Sequence, residues 1–247
     1  MPAVWPTSEV DGHVAWNEGA RTIADTVIFD VDGTLVDSNY QHTLAWYRAF
    51  RRYGIIRPLW RIHRGVGMGG DTFVPEIGGP TVERQLGDAL RDAWVEEFDQ
   101  LIGEVQPFEG AHELLQDVKD RGFRLVLASS GKSQHVERFL DLIDGQSLAD
   151  AWTTSDDAAH SKPEPDLIVT ALRKVGASAG IMVGDSPYDA IAAARRTSQP
   201  SPSAPVDSPS RNSPMPAPPP STTPWSSYAT TSATPCSTDP CCLQIVE

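Results

Sequence analysis

The chain has 247 residues, of which 33 are acidic and 20 are basic, and its formal net charge is −13. This excess of negative charge disfavours nucleic acid and anionic membranes as partners, and no apolar run reaches the roughly 18 residues of a membrane span. The three cysteines, Cys236, Cys241 and Cys242, are confined to the C-terminal end, which excludes a cysteine metal site or disulfide framework in the core. The N-terminus lacks the basic and apolar segments of a signal peptide, and we expect a cytoplasmic protein.

The first strong structural signal is a short apolar run that ends in acidic residues. Residues 1–24 show no hydrophobic periodicity and predict an irregular extension. Residues 27–29 are Val-Ile-Phe, which favours a buried strand, and Asp30 and Asp32 follow before Gly33 breaks the run. Carboxylates at the end of a strand lie where open α/β folds bind ligands, and two that are so close repel each other. The pattern therefore predicts a bound cation.

Residues 38–106 are predicted to be mainly helical. One helix is marked by aromatic residues at helical spacing, namely Trp46, Phe50 and Tyr53. A second helix, over about residues 81–102, is marked by Leu86, Leu90 and Trp94. The glycine-rich residues 64–71 between these helices lack the spacing of a phosphate-binding loop, and they favour a flexible turn.

From residue 107 onward, the predicted helices and strands alternate. Strands are expected at residues 123–128 and 181–183. Helices are expected over 111–121, after Ser133 as an N-cap, after Lys162, and over 187–196. The inward positions of the first of these helices are predicted to be Leu114, Leu115 and Val118. This alternation is typical of a parallel sheet with helices on both faces.

The composition changes abruptly after Arg196. Residues 197–240 are mostly Ser, Thr and Pro, and we expect the whole tail, 197–247, to be disordered because it offers too little apolar surface to bury. The change falls inside the expected domain, so the core is predicted to be incomplete at its C-terminal edge, with the strand at 181–183 uncovered. Two origins remain open: a native disordered extension, or a shifted reading frame that replaces the end of the core.

Four polar segments fall at predicted strand ends or helix starts. They are Asp30 with Asp32, then Ser129, then Lys162 before Pro163, and finally residues 184–189, Gly-Asp-Ser-Pro-Tyr-Asp. In this order they resemble the four motifs of the haloacid dehalogenase superfamily over about residues 25–196. Ser161 is a departure, because the superfamily usually has Gly directly before the motif lysine. The resemblance implies a Rossmann-like doubly wound parallel sheet, built from 25–37 and 107–196. It also implies an inserted α-helical cap at 38–106, as in the phosphoglycolate phosphatase and β-phosphoglucomutase subgroup.

The resemblance assigns roles to three aspartates. Asp30 is implied to be the nucleophile that forms an aspartyl-phosphate, which divides one difficult step into two. Mg²⁺ is implied to be bound by the side chains of Asp30 and Asp185 and by the backbone carbonyl of Asp32. The Asp32 side chain is then free to act as general acid and base.

The remaining motif residues are implied to bind or support the phosphoryl group. Lys162 brings a positive charge to its oxygens. Ser129, Ser130 and Gly131 are expected to bind the same oxygens through hydroxyl and backbone N–H groups. Asp189 is expected to orient Lys162 or a metal-bound water.

The leading hypothesis is a Mg²⁺-dependent phosphatase for a small phosphorylated metabolite, monomeric or dimeric. Arg64 in the cap is the best candidate for an additional contact with the substrate. A phosphomutase uses the same residues and remains an alternative, as does an impaired family member that acts only as a binding protein. A dehalogenase is disfavoured by Asp32 and Thr34, and a phosphonate hydrolase by the absence of lysine from residues 38–106.

Overall fold

The computed structural model describes residues 24–197 and 242–246. Its main sheet has the strand order β5-β4-β1-β6-β7. These strands are β1 (Thr26–Phe29), β4 (Arg124–Ala128), β5 (Ala151–Thr153), β6 (Gly180–Gly184) and β7 (Cys242–Val246). β1 is central and parallel to both neighbours, so that Phe29 lies opposite Leu127 on β4 and Val183 on β6. Only β7 runs antiparallel to its neighbour among the described strands of this sheet.

Both faces of the sheet are covered, as the continuous apolar pattern of β1 requires. The core helices are α5 (Ala111–Asp120), α6 (Ser133–Leu142), α7 (Gly145–Leu148), α8 (Asp166–Lys174) and α9 (Pro187–Thr197). On one face, Ile28 packs with Ile168 of α8 and Ala192 of α9. On the other, Phe29 belongs to a cluster that includes Leu115 of α5 and Phe139 of α6. The predicted doubly wound α/β core is therefore confirmed.

A helical cap is inserted between two very short strands, β2 (Val36–Asp37) and β3 (Gln106–Pro107), which pair with each other. This pairing brings both ends of the insertion to one place beside the sheet. The cap helices are α1 (Asn39–Arg52), α2 (Leu59–His63), α3 (Gly70–Gly78) and α4 (Pro80–Asp99). They pack around buried aromatic rings, namely Trp46, Phe50, Phe73, Trp94 and Phe98. The predicted helical cap is thus present.

Several local predictions were wrong. Tyr53 lies after the end of α1 and is 40% exposed, because the helix ends at Arg52. Leu114 is 46% exposed, since the 100° step of a helix turns it away when the neighbouring Leu115 faces the core. Ser133 is the first residue of α6 rather than its cap, and its hydroxyl bonds to Asp156 at 2.5 Å. The glycine-rich stretch is also more than a turn, because Gly70 begins helix α3.

The tail prediction was wrong for Cys242–Val246, which forms β7. This strand pairs residue by residue with β6, from Gly184 opposite Cys242 to Gly180 opposite Val246. The outer edge of β6 offers unpaired backbone groups, and an apolar segment such as Leu-Gln-Ile-Val suits a strand there. The edge of β6 is therefore covered, contrary to the prediction. The predictions for residues 1–23 and 198–241 lie outside the described residues.

No helix within the described ranges combines the length and apolar character needed to cross a lipid bilayer.

We expect deletion of residues 242–247 to destabilise the chain and promote self-association, because it leaves one edge of β6 unpaired. The apparent Tm should fall by about 2–4 °C for each kcal/mol lost. Thermal unfolding and light scattering over a range of concentrations measure both effects. Deletion of Glu247 alone keeps all five paired residues and is the matched control; identical Tm and scattering for the two deletions would contradict the role of β7.

Candidate active site

The site lies at the carboxyl ends of the three central strands. Asp30 follows β1, Ser129 follows β4 and Asp185 follows β6, and because these strands are parallel their ends meet at one edge. The Asp30 N–H donates to the carbonyl of Val183 at 2.8 Å, which extends the pairing of β1 and β6 to the nucleophile candidate itself. The sheet thus fixes the backbone position of Asp30.

Lys162 connects two buried aspartates. Its Nζ forms an ion pair with Asp30 Oδ1 and lies 2.6 Å from Asp189 Oδ1. Asp30, Lys162 and Asp189 are only 4%, 2% and 2% exposed, so these charges have little contact with solvent. Asp189 Oδ2 accepts hydrogen bonds from the Ser186 hydroxyl at 2.6 Å and from its backbone N–H at 3.1 Å. The predicted orientation of Lys162 by Asp189 is consistent with these contacts.

The charge balance of this cluster shifts the pKa of its members. Burial by itself lowers the pKa of Lys162, but attraction to Asp189 and Asp30 outweighs it and raises that pKa. Burial raises the pKa of Asp30 well above its usual value, and Lys162 only partly opposes this effect while Asp189 and Asp185 add to it. Burial also raises the pKa of Asp185, against a hydrogen bond from Asn39. The ammonium of Lys162 alone therefore does not balance the negative charge of these carboxylates.

The donor set fits a divalent cation. Asp30, Asp185 and Asp189 each offer a carboxylate oxygen, and these oxygens lie within 4.8 Å of one another. The three carboxylates carry three negative charges and the Lys162 ammonium carries one positive charge, so two negative charges are left uncompensated. Mg²⁺ carries two positive charges and would balance them. Asp30 and Asp189 share the ammonium of Lys162, and Asp189 in addition accepts two hydrogen bonds from Ser186.

Asp32 belongs to a separate hydrogen-bond network. Its Oδ1 is 2.7 Å from His42 Nε2 and 3.2 Å from the donating hydroxyl of Ser38, while Oδ2 accepts from Ser129 Oγ at 2.7 Å. Burial opposes ionisation of Asp32, but the hydrogen bonds from His42 and Ser129 outweigh it and lower the pKa of Asp32. The two aspartates of the first motif therefore have opposite pKa shifts, which is typical of groups with different chemical roles.

Sequence reasoning missed His42. It lies on α1 and its ring stacks on Phe98, with 4.1 Å between centroids and 2° between planes, and on Trp94 at 5.6 Å. A histidine on the same helix face as Ala45 and Trp46 is a weak signal by itself. Only the fold places it beside Asp32.

The residues after β4 divide into a buried and an open part. Ser129 is fully buried, and its hydroxyl, besides donating to Asp32, accepts from the Gly131 N–H at 2.9 Å. Ser130 and Gly131 line the cavity instead, together with Lys132. The Ser130 hydroxyl has no hydrogen-bond partner among the described residues. The Ser130 hydroxyl is thus free to donate to an anion, whereas the Gly131 N–H is already bound to Ser129 Oγ, and the phosphate contacts of Ser129 and Gly131 stay predictions.

The cap closes over a cavity of about 260 Å³ that Asp30, Asp32 and Lys162 line. The Thr72 hydroxyl donates to the carbonyl of Lys162 at 3.0 Å, and the Ser161 N–H donates to Asp71 Oδ2 at 3.1 Å. A Cβ on Gly69 would lie 2.1 Å from Ser161 Oγ, so the cap loop approaches the core closely only because this residue is glycine. Ser161 is therefore accommodated beside Gly69.

Arg64 is not brought to this cavity. Its backbone carbonyl accepts from the Tyr188 hydroxyl at 3.0 Å, and Arg64 lines a separate depression with Trp60 and Arg61. Besides Lys162, the cationic side chains that line the cavity are those of Arg91 on α4 and Lys132. Arg91 is bound to Glu83 and Asp88. Within residues 24–197, no carboxylate lies within ion-pair distance of Lys132, which leaves it available to a substrate.

Comparison with known proteins gives consistent similarities. The family model of haloacid dehalogenase-like hydrolases matches residues 27–198. The chain is 30% identical over 178 residues to pyrophosphatase PpaX of Bacillus cereus, covering 68% of this chain and 77% of that protein. It is 27% identical over 182 residues to validoxylamine A 7'-phosphate phosphatase of Streptomyces hygroscopicus subsp. limoneus, covering 68% and 80%. A solved hydrolase from Pseudomonas syringae superposes with a TM-score of 0.64 at 30% identity, covering 69% and 80%.

We expect His42→Ala to lower kcat for p-nitrophenyl phosphate hydrolysis by about 10- to 100-fold, because Asp32 loses a hydrogen bond worth about 1.5–3 kcal/mol. His42→Gln places an amide donor near the position of Nε2 and should recover part of the loss. His63→Ala, at an exposed cap histidine that stacks on Tyr40, is the control. Equal kcat for His42→Ala and His63→Ala would show that His42 does not support Asp32.

Proposed function

The chain belongs to the haloacid dehalogenase-like hydrolase family, and on that premise we propose that it is a Mg²⁺-dependent phosphatase for a small phosphorylated metabolite. The observation that carries this proposal is the buried Asp30 carboxylate, which lines the cavity and is paired with Lys162. A fixed carboxylate beside a fixed ammonium offers a nucleophile and a binding charge for the group that it attacks. The similarity to phosphatases supports the same reaction class.

In the first proposed step, an Asp30 carboxylate oxygen attacks phosphorus and the bond from phosphorus to the ester oxygen breaks. Lys162 and the Ser130 hydroxyl bind the other phosphoryl oxygens. The leaving oxygen takes a proton from Asp32. Because hydrogen bonds favour the ionised form of Asp32, we assign this proton to the Asp32–His42 pair, whose 2.7 Å hydrogen bond connects the two groups.

In the second proposed step, water attacks phosphorus and the bond to Asp30 breaks, which releases inorganic phosphate. Asp32 accepts the proton from this water, so the same carboxylate acts as acid and then as base. The Asp32–His42 pair is thereby returned to its starting protonation state. Asp30 is returned as a carboxylate beside Lys162.

Asp30 and Asp185 would hold Mg²⁺ through their side chains, and Asp32 through its backbone carbonyl. When bound, the ion supplies the positive charge that the attack of one anion on another requires. The raised pKa values of Asp30 and Asp185 support this assignment, since a nearby cation favours the ionised carboxylates that attack and metal binding need.

The cavity indicates the kind of substrate. Its volume of about 260 Å³ suits a small phosphate ester rather than a large one. The rings of Trp46 and Trp94 form apolar parts of its wall, and Lys132 supplies a positive charge that is not paired with any carboxylate of residues 24–197. We therefore propose a compact substrate with a second anionic or polar group, which a panel of phosphorylated metabolites would identify. Phosphate release without a phosphorylated product separates hydrolysis from phosphoryl transfer in the same panel.

We expect Asp30→Asn to abolish Mg²⁺-dependent phosphate release, with a loss on the order of 10⁴-fold or more, because the amide is a poor nucleophile. Far-ultraviolet circular dichroism and Tm check that the fold is retained. Asp37→Asn, at an exposed aspartate of β2, is the matched control and should leave the rate unchanged. Activity of Asp30→Asn within tenfold of the unchanged chain would refute the assignment.

Asp32→Asn should lower kcat by about 10²–10⁴-fold, the usual contribution of a general acid or base. It should still bind Mg²⁺, because the ligand assigned to Asp32 is its backbone carbonyl. Steady-state kinetics and calorimetric Mg²⁺ titration separate the two properties. Loss of Mg²⁺ binding with only a small loss of rate would reverse the roles that we propose.

A further inference from the structure

Asn39 is the first residue of the cap helix α1, yet its side chain contacts the aspartate that follows β6. The Asn39 Nδ2 amide donates to Asp185 Oδ2 at 2.8 Å. Asp185 Oδ1 lies 3.3 Å from the hydroxyl of Thr34, in the loop after β1. The two carboxylate oxygens of Asp185 are thus contacted from two different parts of the chain, one of them the cap.

The Asn39–Asp185 contact is packed against the backbone of the turn after Asp32. Gly33 has a φ of +76°, and a Cβ there would lie 2.4 Å from Asn39 Nδ2 and 2.5 Å from Asp185 Oδ2. Any side chain at position 33 would therefore collide with both groups. The missing side chain is what allows the amide and the carboxylate to meet above the turn.

We propose that Asn39 is a positioning residue that orients the Asp185 carboxylate for Mg²⁺ and so connects metal binding to the first turn of the cap. The inference rests on the proposed function in that it takes Mg²⁺ as the cation. An amide suits this role because it donates a hydrogen bond without a charge that would compete with the metal. Partners that orient metal ligands in this way commonly contribute about 10- to 100-fold to metal affinity.

The position of His42 strengthens the argument. It lies three residues after Asn39, and residues at this spacing share one face of a helix. From that face, Asn39 contacts Asp185 and His42 contacts Asp32. One turn of α1 therefore orients carboxylates on two different loops of the core.

The test is a calorimetric titration of the full chain with Mg²⁺ alone, with no substrate present. We expect Asn39→Ala to weaken Mg²⁺ binding by about tenfold. The rise in Tm on addition of a fixed Mg²⁺ concentration should shrink in the same variant. Tyr40→Ala changes the next residue of the same turn, where the side chain is 66% exposed and contacts His63 rather than the site, and it should bind Mg²⁺ like the unchanged chain.

Saturating Mg²⁺ should also restore most of the kcat of Asn39→Ala, which a general loss of structure would not allow. If Asn39→Ala does not fold, Asn39→Leu keeps the side-chain volume without a donor and carries the same expectation. Equal Mg²⁺ affinity for the variant and the unchanged chain would overturn the inference while leaving the phosphatase proposal intact. Failure of the unchanged chain to bind Mg²⁺ would overturn the metal site and this inference together.

Discussion

The ion pairs of Lys162 with Asp30 and Asp189 are the interaction on which the rest of the site depends. Burial of a lone ammonium or carboxylate is costly, so each of these groups requires the others. Their arrangement also leaves a surplus of negative charge, because Asp185 lies in the same cluster. The parallel sheet makes this cluster possible, since the loops after β1 and β6 start from neighbouring strands. The same charge surplus supports the cation-dependent reaction of Asp30 that we propose.

The cap does more than close the cavity. Its first helix contributes the side chains that hold Asp32 and Asp185, and its loop contacts the backbone on either side of the Ser161–Lys162 peptide. The aromatic stack of His42, Trp94 and Phe98 continues to Phe139 of the core helix α6, which joins cap and core through apolar surface. The side chains that contact Asp32 and Asp185 and the loop that closes the cavity therefore belong to one packed unit.

Local patterns were sufficient to predict much of this structure. The apolar strand followed by Asp30 and Asp32 can be recognised from a few neighbouring residues. The same is true of the helices that alternate with strands after residue 107. The missed features depend on distant parts of the chain. Asn39 meets Asp185 across 146 positions, and β7 pairs with a strand that lies some sixty residues earlier. Tyr53 was misplaced because apolar spacing does not fix where a helix ends, and Leu114 because it does not fix the direction in which the helix face points.

The central claim is that Asp30 attacks phosphorus and carries the phosphoryl group between the two steps. The most direct measurement is to quench the enzyme during turnover with Mg²⁺ and a good substrate, reduce it with borohydride, and map the products by peptide mass spectrometry. Reduction of an aspartyl-phosphate yields homoserine, so we expect homoserine at position 30 only when substrate is present. Homoserine at another aspartate would contradict the account, and so would an unmodified Asp30 under conditions in which hydrolysis of the aspartyl-phosphate is slower than its formation.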